Sequence, residues 1–139
     1  METLMENSKQ VNLINFGTEL NKVVIDAIEE EYKINIEQHM IRASLNLKKN
    51  STFIQVHDII NKSRELFCEN EFFIVNLPGL PIYAAFLITE IHALTGKFPI
   101  VVECVKDYST DGIFSQYKFK RLYDLDRERT QSRENYKSC

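Results

Sequence analysis

Apolar residues along this chain come either in short continuous runs or in stripes spaced three or four apart, the signatures of buried strands and amphipathic helices. Val11, Leu13, Ile14 and Phe16 predict a first strand over 11–16. Gly17 and Thr18 follow, with Thr18 the expected N-cap of a helix and Glu19 suited to its first turn. Leu20, Val23, Val24, Ala27 and Ile28 then share one helical face as far as Tyr32, opposite Lys22, Asp26, Glu29 and Glu30. Over 34–47, Ile41, Ala43, Leu45 and Leu47 alternate with Arg42, Ser44 and Asn46, predicting a half-exposed or edge strand. A polar turn over 48–51 leads into a second helix, with Phe53, Val56, Ile60 and Phe67 on one stripe.

The apolar run 72–77 is what a central strand covered on both faces requires. It stops at Pro78-Gly79-Leu80-Pro81, where Pro81 fits the first turn of a third helix that runs to Thr95 and is closed by Gly96. Residues 98–105 predict a fourth strand, 107–112 a turn-rich loop, and 114–123 a last, solvated strand. The order β-α-β-α-β-α-β-β-α predicts a single Rossmann-like α/β domain over 11–123. Its sheet is mostly parallel with an antiparallel C-terminal strand, and helices cover both faces. Residues 1–10 read as a flexible lead, and 124–139 as a charged C-terminal helix or tail. The third helix has almost no polar face, so both its sides should be covered. A C2 homodimer with this helix at its seam is expected, the alternative being a C-terminal tail folded over it.

Composition narrows the classes of function. The 139 residues suffice for one core, and 44% apolar with 27% charged residues is ordinary for a globular chain. A formal net charge of −3 argues against a protein that wraps duplex DNA, while a small anionic ligand needs only a few donors. The three cysteines, Cys68, Cys104 and Cys139, make no CxxC pair and suit a reducing, cytoplasmic setting. Cys68 and Cys104 lie in apolar runs and are expected in the core. No signal-peptide pattern opens the chain, and the apolar segment 82–94 falls short of a bilayer span, so no membrane partner is expected.

Ligands of open parallel sheets gather beyond the carboxyl ends of the strands. Two turns have suitable composition there: Asn15-Phe16-Gly17-Thr18 and Asn76-Leu77-Pro78-Gly79-Leu80. Each glycine lets a phosphate or ribose approach the backbone, and Asn15 and Asn76 suit a base or ribose edge. The same residues also suit plain chain turns, because no dinucleotide or phosphate-loop motif is present. His39 and His57 have no local carboxylate or second ligand at metal spacing, and His92, near the C-terminal end of the third helix, suits a structural or interface hydrogen bond, so no metal or cofactor is expected. Lys118, Lys120, Arg121, Arg127, Arg129 and Arg133 alternate with acidic residues and read as a solvated face.

Over roughly residues 11–105 the chain resembles a family of small stand-alone CRISPR-associated proteins encoded with type III systems. The resemblance rests on Asn15-Phe16, Asn76-Leu77-Pro78, Ala84-Ala85, Glu90, His92, Gly96 and Phe98-Pro99. Where the family turn often reads Asn-Phe-Ser, this chain has Gly17 and then Thr18. The resemblance implies a Rossmann-like fold, related in style to CARF domains, that binds cyclic tetra-adenylate, the second messenger of antiviral defence. Two outcomes follow for such a protein: sequestering the ring, or cleaving it without metal through attack of its own 2′-hydroxyl. The turns offer Asn15, Thr18 and Asn76 but no histidine or cation, with Lys106 the nearest basic residue, which favours sequestration. A ring shared between subunits also admits ligand-driven higher assembly. A contrasting expectation is an interaction module in which the third helix docks a CRISPR effector and no nucleotide binds.

Overall fold

A computed structural model describes residues 9–48, 51–107 and 116–136. The element order is β1 (Lys9–Asn15), α1 (Lys22–Tyr32), β2 (Ile34–Met40), α2 (Thr52–Lys62), α3 (Arg64–Cys68), β3 (Phe73–Asn76), α4 (Pro81–Thr95), β4 (Ile100–Asp107), β5 (Gln116–Asp124) and α5 (Leu125–Asn135). Five strands form one sheet in the order β2-β1-β3-β4-β5. The first four are mutually parallel and β5 is antiparallel to β4. This is the predicted Rossmann-like α/β architecture.

Strand alternation sorts the core onto the two faces of the sheet. Leu13, Ile74, Val24 and Ile28 form one cluster, beneath α1. Ile14, Val75, Val56, Phe67, Leu87 and Ile91 belong to the other, beneath α2, α3 and α4. Three helices therefore cover one face, and α1 is the main cover of the other. From β1 the chain moves outward to β2, and from β3 it moves the opposite way to β4. The order reverses between β1 and β3, which makes the carboxyl ends of these two strands the switch point of the sheet.

Several boundaries differ from the sequence expectation for identifiable reasons. β1 begins at Lys9, inside the expected lead. β2 stops at Met40 rather than 47 because its only partner strand among the described residues, β1, ends at Asn15, the residue paired with Met40. Ile41 adds a last bond from its N–H to Asn15 O, 2.9 Å, and then packs with Leu45 onto the core. The second helix breaks at Ser63 into α2 and α3, and Phe67 still reaches the core. Phe53, expected on the buried stripe, is 44% exposed. Cys68 ends the short α3 exposed, not buried, because its neighbour Phe67 takes the inward position.

α1 is capped by Asn21, whose Oδ1 accepts from Val24 N at 3.0 Å, and not by Thr18. The delay has a cause in β2. The Gln38 carboxamide clasps both backbone groups of Leu20, accepting its N–H at 3.0 Å and donating to its carbonyl at 3.1 Å. That pairing holds Leu20 outside the helix. α4 occupies the expected 81–95, with Pro81 in its first turn. Gly96 closes it at φ 77°, a left-handed conformation that favours glycine. α4 buries Tyr83, Leu87, Glu90 and Ile91 but leaves Ile82 46% exposed, so one chain alone does not cover it all round. Asp124 caps α5 by accepting from Asp126 N and Arg127 N, and α5 buries none of its residues. Residues 49–50 of the expected turn, 108–112 of the expected loop, 114–115 of the expected last strand, and Cys139 lie outside the described residues. No helix among those described is long and apolar enough to cross a membrane.

Candidate functional site

Asn15 and Asn76 are direct neighbours, the last residues of β1 and β3 and a register pair. Their side chains tie the two turns together. Asn15 Nδ2 donates to Thr18 O at 2.9 Å and to Gln38 Oε1 at 2.8 Å. Asn15 Oδ1 accepts from Gly17 N at 2.8 Å and from Asn76 Nδ2 at 3.0 Å. Asn76 Nδ2 also donates to Thr18 O at 3.3 Å. The backbones add a bond from Phe16 N to Asn76 O, 3.0 Å.

These carboxamide orientations follow from fixed backbone groups. The Gly17 N–H can only donate, which makes its Asn15 partner the oxygen. Likewise the Leu20 N–H identifies Gln38 Oε1. Asn76 must then present its amine to Asn15 Oδ1 and Thr18 O. Gly17 is required by the closeness of the turns: a Cβ there would stand 2.7 Å from the Leu77 carbonyl oxygen. Any larger residue would drive the β1 turn away from the β3 turn.

Beside this knot, on the α1 face, lies a groove of about 540 Å³. That volume is in the range of small-molecule sites, about 300–1,000 Å³. The β1 turn contributes Thr18 and Glu19, the start of α1 contributes Asn21 and Val24, and the β3 turn contributes Asn76, Leu77 and Gly79. The far wall is Cys104 of β4 and Tyr117 of β5. That wall exists because the β4–β5 ribbon outruns the rest of the sheet. Val75 pairs with Val101, so Cys104 stands two residues past the level of Asn76, roughly 7 Å along the strand. A register shift between Glu103 and Cys104 bends the ribbon there. Burial and the Glu103 carboxylate push the Cys104 thiol above its usual pKa, so it is protonated near neutrality.

The sequence-selected residues therefore divide into three groups. Thr18, Asn76, Leu77 and Gly79 line the groove. Asn15 and Phe16 are withdrawn from it: Asn15 is 0% exposed, and Phe16 is a core ring between Phe67 and Tyr83. Gly17 is the contact point between the turns, while Pro78 and Leu80 flank the groove without lining it. Lys106 is exposed and also outside the lining. It pairs across from Tyr117 and so shares its face of the ribbon. Cys104 and Tyr117 were not selected as groove residues by sequence, since the ribbon wall depends on how far two strands outrun their neighbours, and Glu19 was read only as suited to the first turn of a helix.

The histidines also acquire partners from distant segments. His57 Nδ1 lies 2.9 Å from Oε2 of the buried Glu90, joining α2 to α4. His39 Nε2 lies 3.0 Å from Asn12 Oδ1, joining β2 to β1. His92 rests on the Phe98 ring, with centroids 4.3 Å apart. None of the three lines the groove. Comparison of the chain with family models, curated proteins and solved structures finds no match.

Proposed function

We propose that this chain binds a cyclic oligoadenylate, cyclic tetra-adenylate by the family resemblance, and dampens type III CRISPR signalling by sequestering it. The observation that carries the reading is the groove beside the Asn15–Asn76 knot, at the switch point where open α/β sheets take ligands. The resemblance supplies the ligand. One groove is sized for part of a four-nucleotide ring, and a second copy of the chain supplies the rest in a two-fold complex. Exposed Phe53, Ile54 and Ile82 on α2 and α4 give a homodimer an apolar seam on the opposite face of the sheet from the groove, so the ring is shared between dimers rather than across that seam. Ring-driven association of dimers is the corresponding route to higher assembly.

Holding rather than cutting is favoured by the groove's chemistry. Its lining among the described residues has no histidine, lysine or arginine to stabilise developing charge on a phosphate. Cys104 is held as a neutral thiol. The ring phosphates are met instead at the rim, where α1 and α4 turn their positive N-terminal ends and Lys106 stands on the ribbon. The test incubates protein in excess over radiolabelled cyclic tetra-adenylate and follows gel retention and linear product together. Retention of intact ring is expected. No retention sinks the binding reading, and many turnovers per subunit replace sequestration with ring cleavage.

A further inference from the structure

The polar floor of the groove offers acceptors and no spare donor at Asn76. Both amide hydrogens of Asn76 are committed, to Asn15 Oδ1 and to Thr18 O. A flipped carboxamide would set its oxygen against both of those oxygens, so the orientation is locked. Asn76 Oδ1 has no hydrogen bond among the described residues. Nor is it sealed inside: the only fully buried side-chain polar atom without a partner among them is Tyr83 Oη. Glu19 adds an exposed carboxylate to the same groove.

A phosphate set against Asn76 and Glu19 would meet an amide oxygen and a carboxylate, both repelling it, which leaves phosphate to the α1 end of the groove, where Thr18 and Asn21 offer donors. An N–H₂ group would meet two acceptors. The surrounding surfaces suit a flat ring: Leu20, Val24 and Leu77 are apolar, and Tyr117, 57% exposed, offers an aromatic face. We propose that Asn76 is the base-reading residue of the groove. Its Oδ1 accepts from the 6-amino group of an adenine held against Tyr117, so the base points inward and the phosphates face the rim. The same geometry rejects 6-oxo purines, whose oxygen would face Asn76 Oδ1. The inference rests on the nucleotide-binding reading above and adds the orientation of the ligand and the origin of its base specificity.

The test compares three cyclic tetranucleotides with identical sugars and phosphates, carrying adenine, unsubstituted purine or hypoxanthine. Equilibrium binding to the unaltered protein should fall in that order, with the hypoxanthine ring roughly 10- to 100-fold weaker than the adenine ring. In Asn76→Ala the three affinities should converge, whereas Tyr117→Ala should weaken all three while keeping their order. Equal affinity of the unaltered protein for adenine and hypoxanthine rings overturns the base-reading role and leaves nucleotide binding standing. Retention of none of the rings overturns both. The ranking by the unaltered protein decides the matter even where Asn76→Ala fails to fold.

Discussion

Truncating Asn15 to alanine should cost the fold far more than truncating its neighbour Asn76, although both sit at strand ends and both bear carboxamides. Asn15 is fully buried and makes four hydrogen bonds. In Asn15→Ala their loss is unequal. Thr18 O keeps Asn76 Nδ2, Gln38 Oε1 keeps the Leu20 N–H, and Asn76 Nδ2 keeps Thr18 O. The Gly17 N–H loses the partner it had. One orphaned donor costs about 1–3 kcal/mol, and the shared acceptors add a few tenths each, for about 2–3 kcal/mol in all. In Asn76→Ala every former partner keeps another bond, so the loss should stay under about 1 kcal/mol. For a chain of this length each kcal/mol lowers Tm by roughly 3–5 °C, which puts Asn15→Ala some 6–15 °C below the unaltered protein. Thermal melts followed by circular dichroism, with urea titration for the free energies, read both variants. Equal melting of Asn15→Ala and Asn76→Ala would refute the division into a structural and a ligand-facing asparagine.

Three further outcomes follow from the same contacts. Gly17→Ala should lose about 1–3 kcal/mol in urea titration, because the rigid Leu77 carbonyl must move away from the new Cβ; an unchanged midpoint contradicts that close approach. Tyr83→Phe should melt at or above the unaltered protein, since it removes a buried hydroxyl that has no partner among the described residues. Burial raises the Tyr83 pKa above its ordinary 10.0, so the stability of the neutral phenol is intact below pH 10 and is lost as pH rises through the folded value. The phenylalanine variant should therefore lose less stability on alkaline titration, and a marked drop in its neutral-pH melt would contradict the account. Iodoacetamide should label exposed Cys68 faster than half-buried Cys104, judged by peptide mass spectrometry, and groove occupancy should slow Cys104 further; faster labelling of Cys104 would argue against its shielding.

The sequence made the strand and helix order legible because its runs and stripes are set by burial on two faces of one sheet. It made α4 legible almost to the residue, since Pro81 and Gly96 punctuate both ends through backbone geometry alone. The start of α1 was not legible: the N-cap moved from Thr18 to Asn21 through Gln38, a residue on another strand. Both turns that border the groove were picked out by composition, yet the placement of the residues within them was not. Asn15 and Asn76 look equivalent in sequence, and only the shared bond between them shows that one is consumed by the fold. Tyr117 and Cys104 face the turns across a gap that depends on strand length, so no local pattern could have selected them. The Glu90–His57 pair was equally hidden, its members separated by 33 positions.

The proposal that the groove seats a cyclic oligoadenylate is tested most directly by amide NMR of the labelled protein titrated with cyclic tetra-adenylate. The account predicts saturable shifts concentrated at Gly17, Thr18, Asn76, Gly79, Cys104 and Tyr117, with the ring recovered intact. Saturable shifts confined to the outer faces of α2 and α4, or no shifts at all, would contradict it.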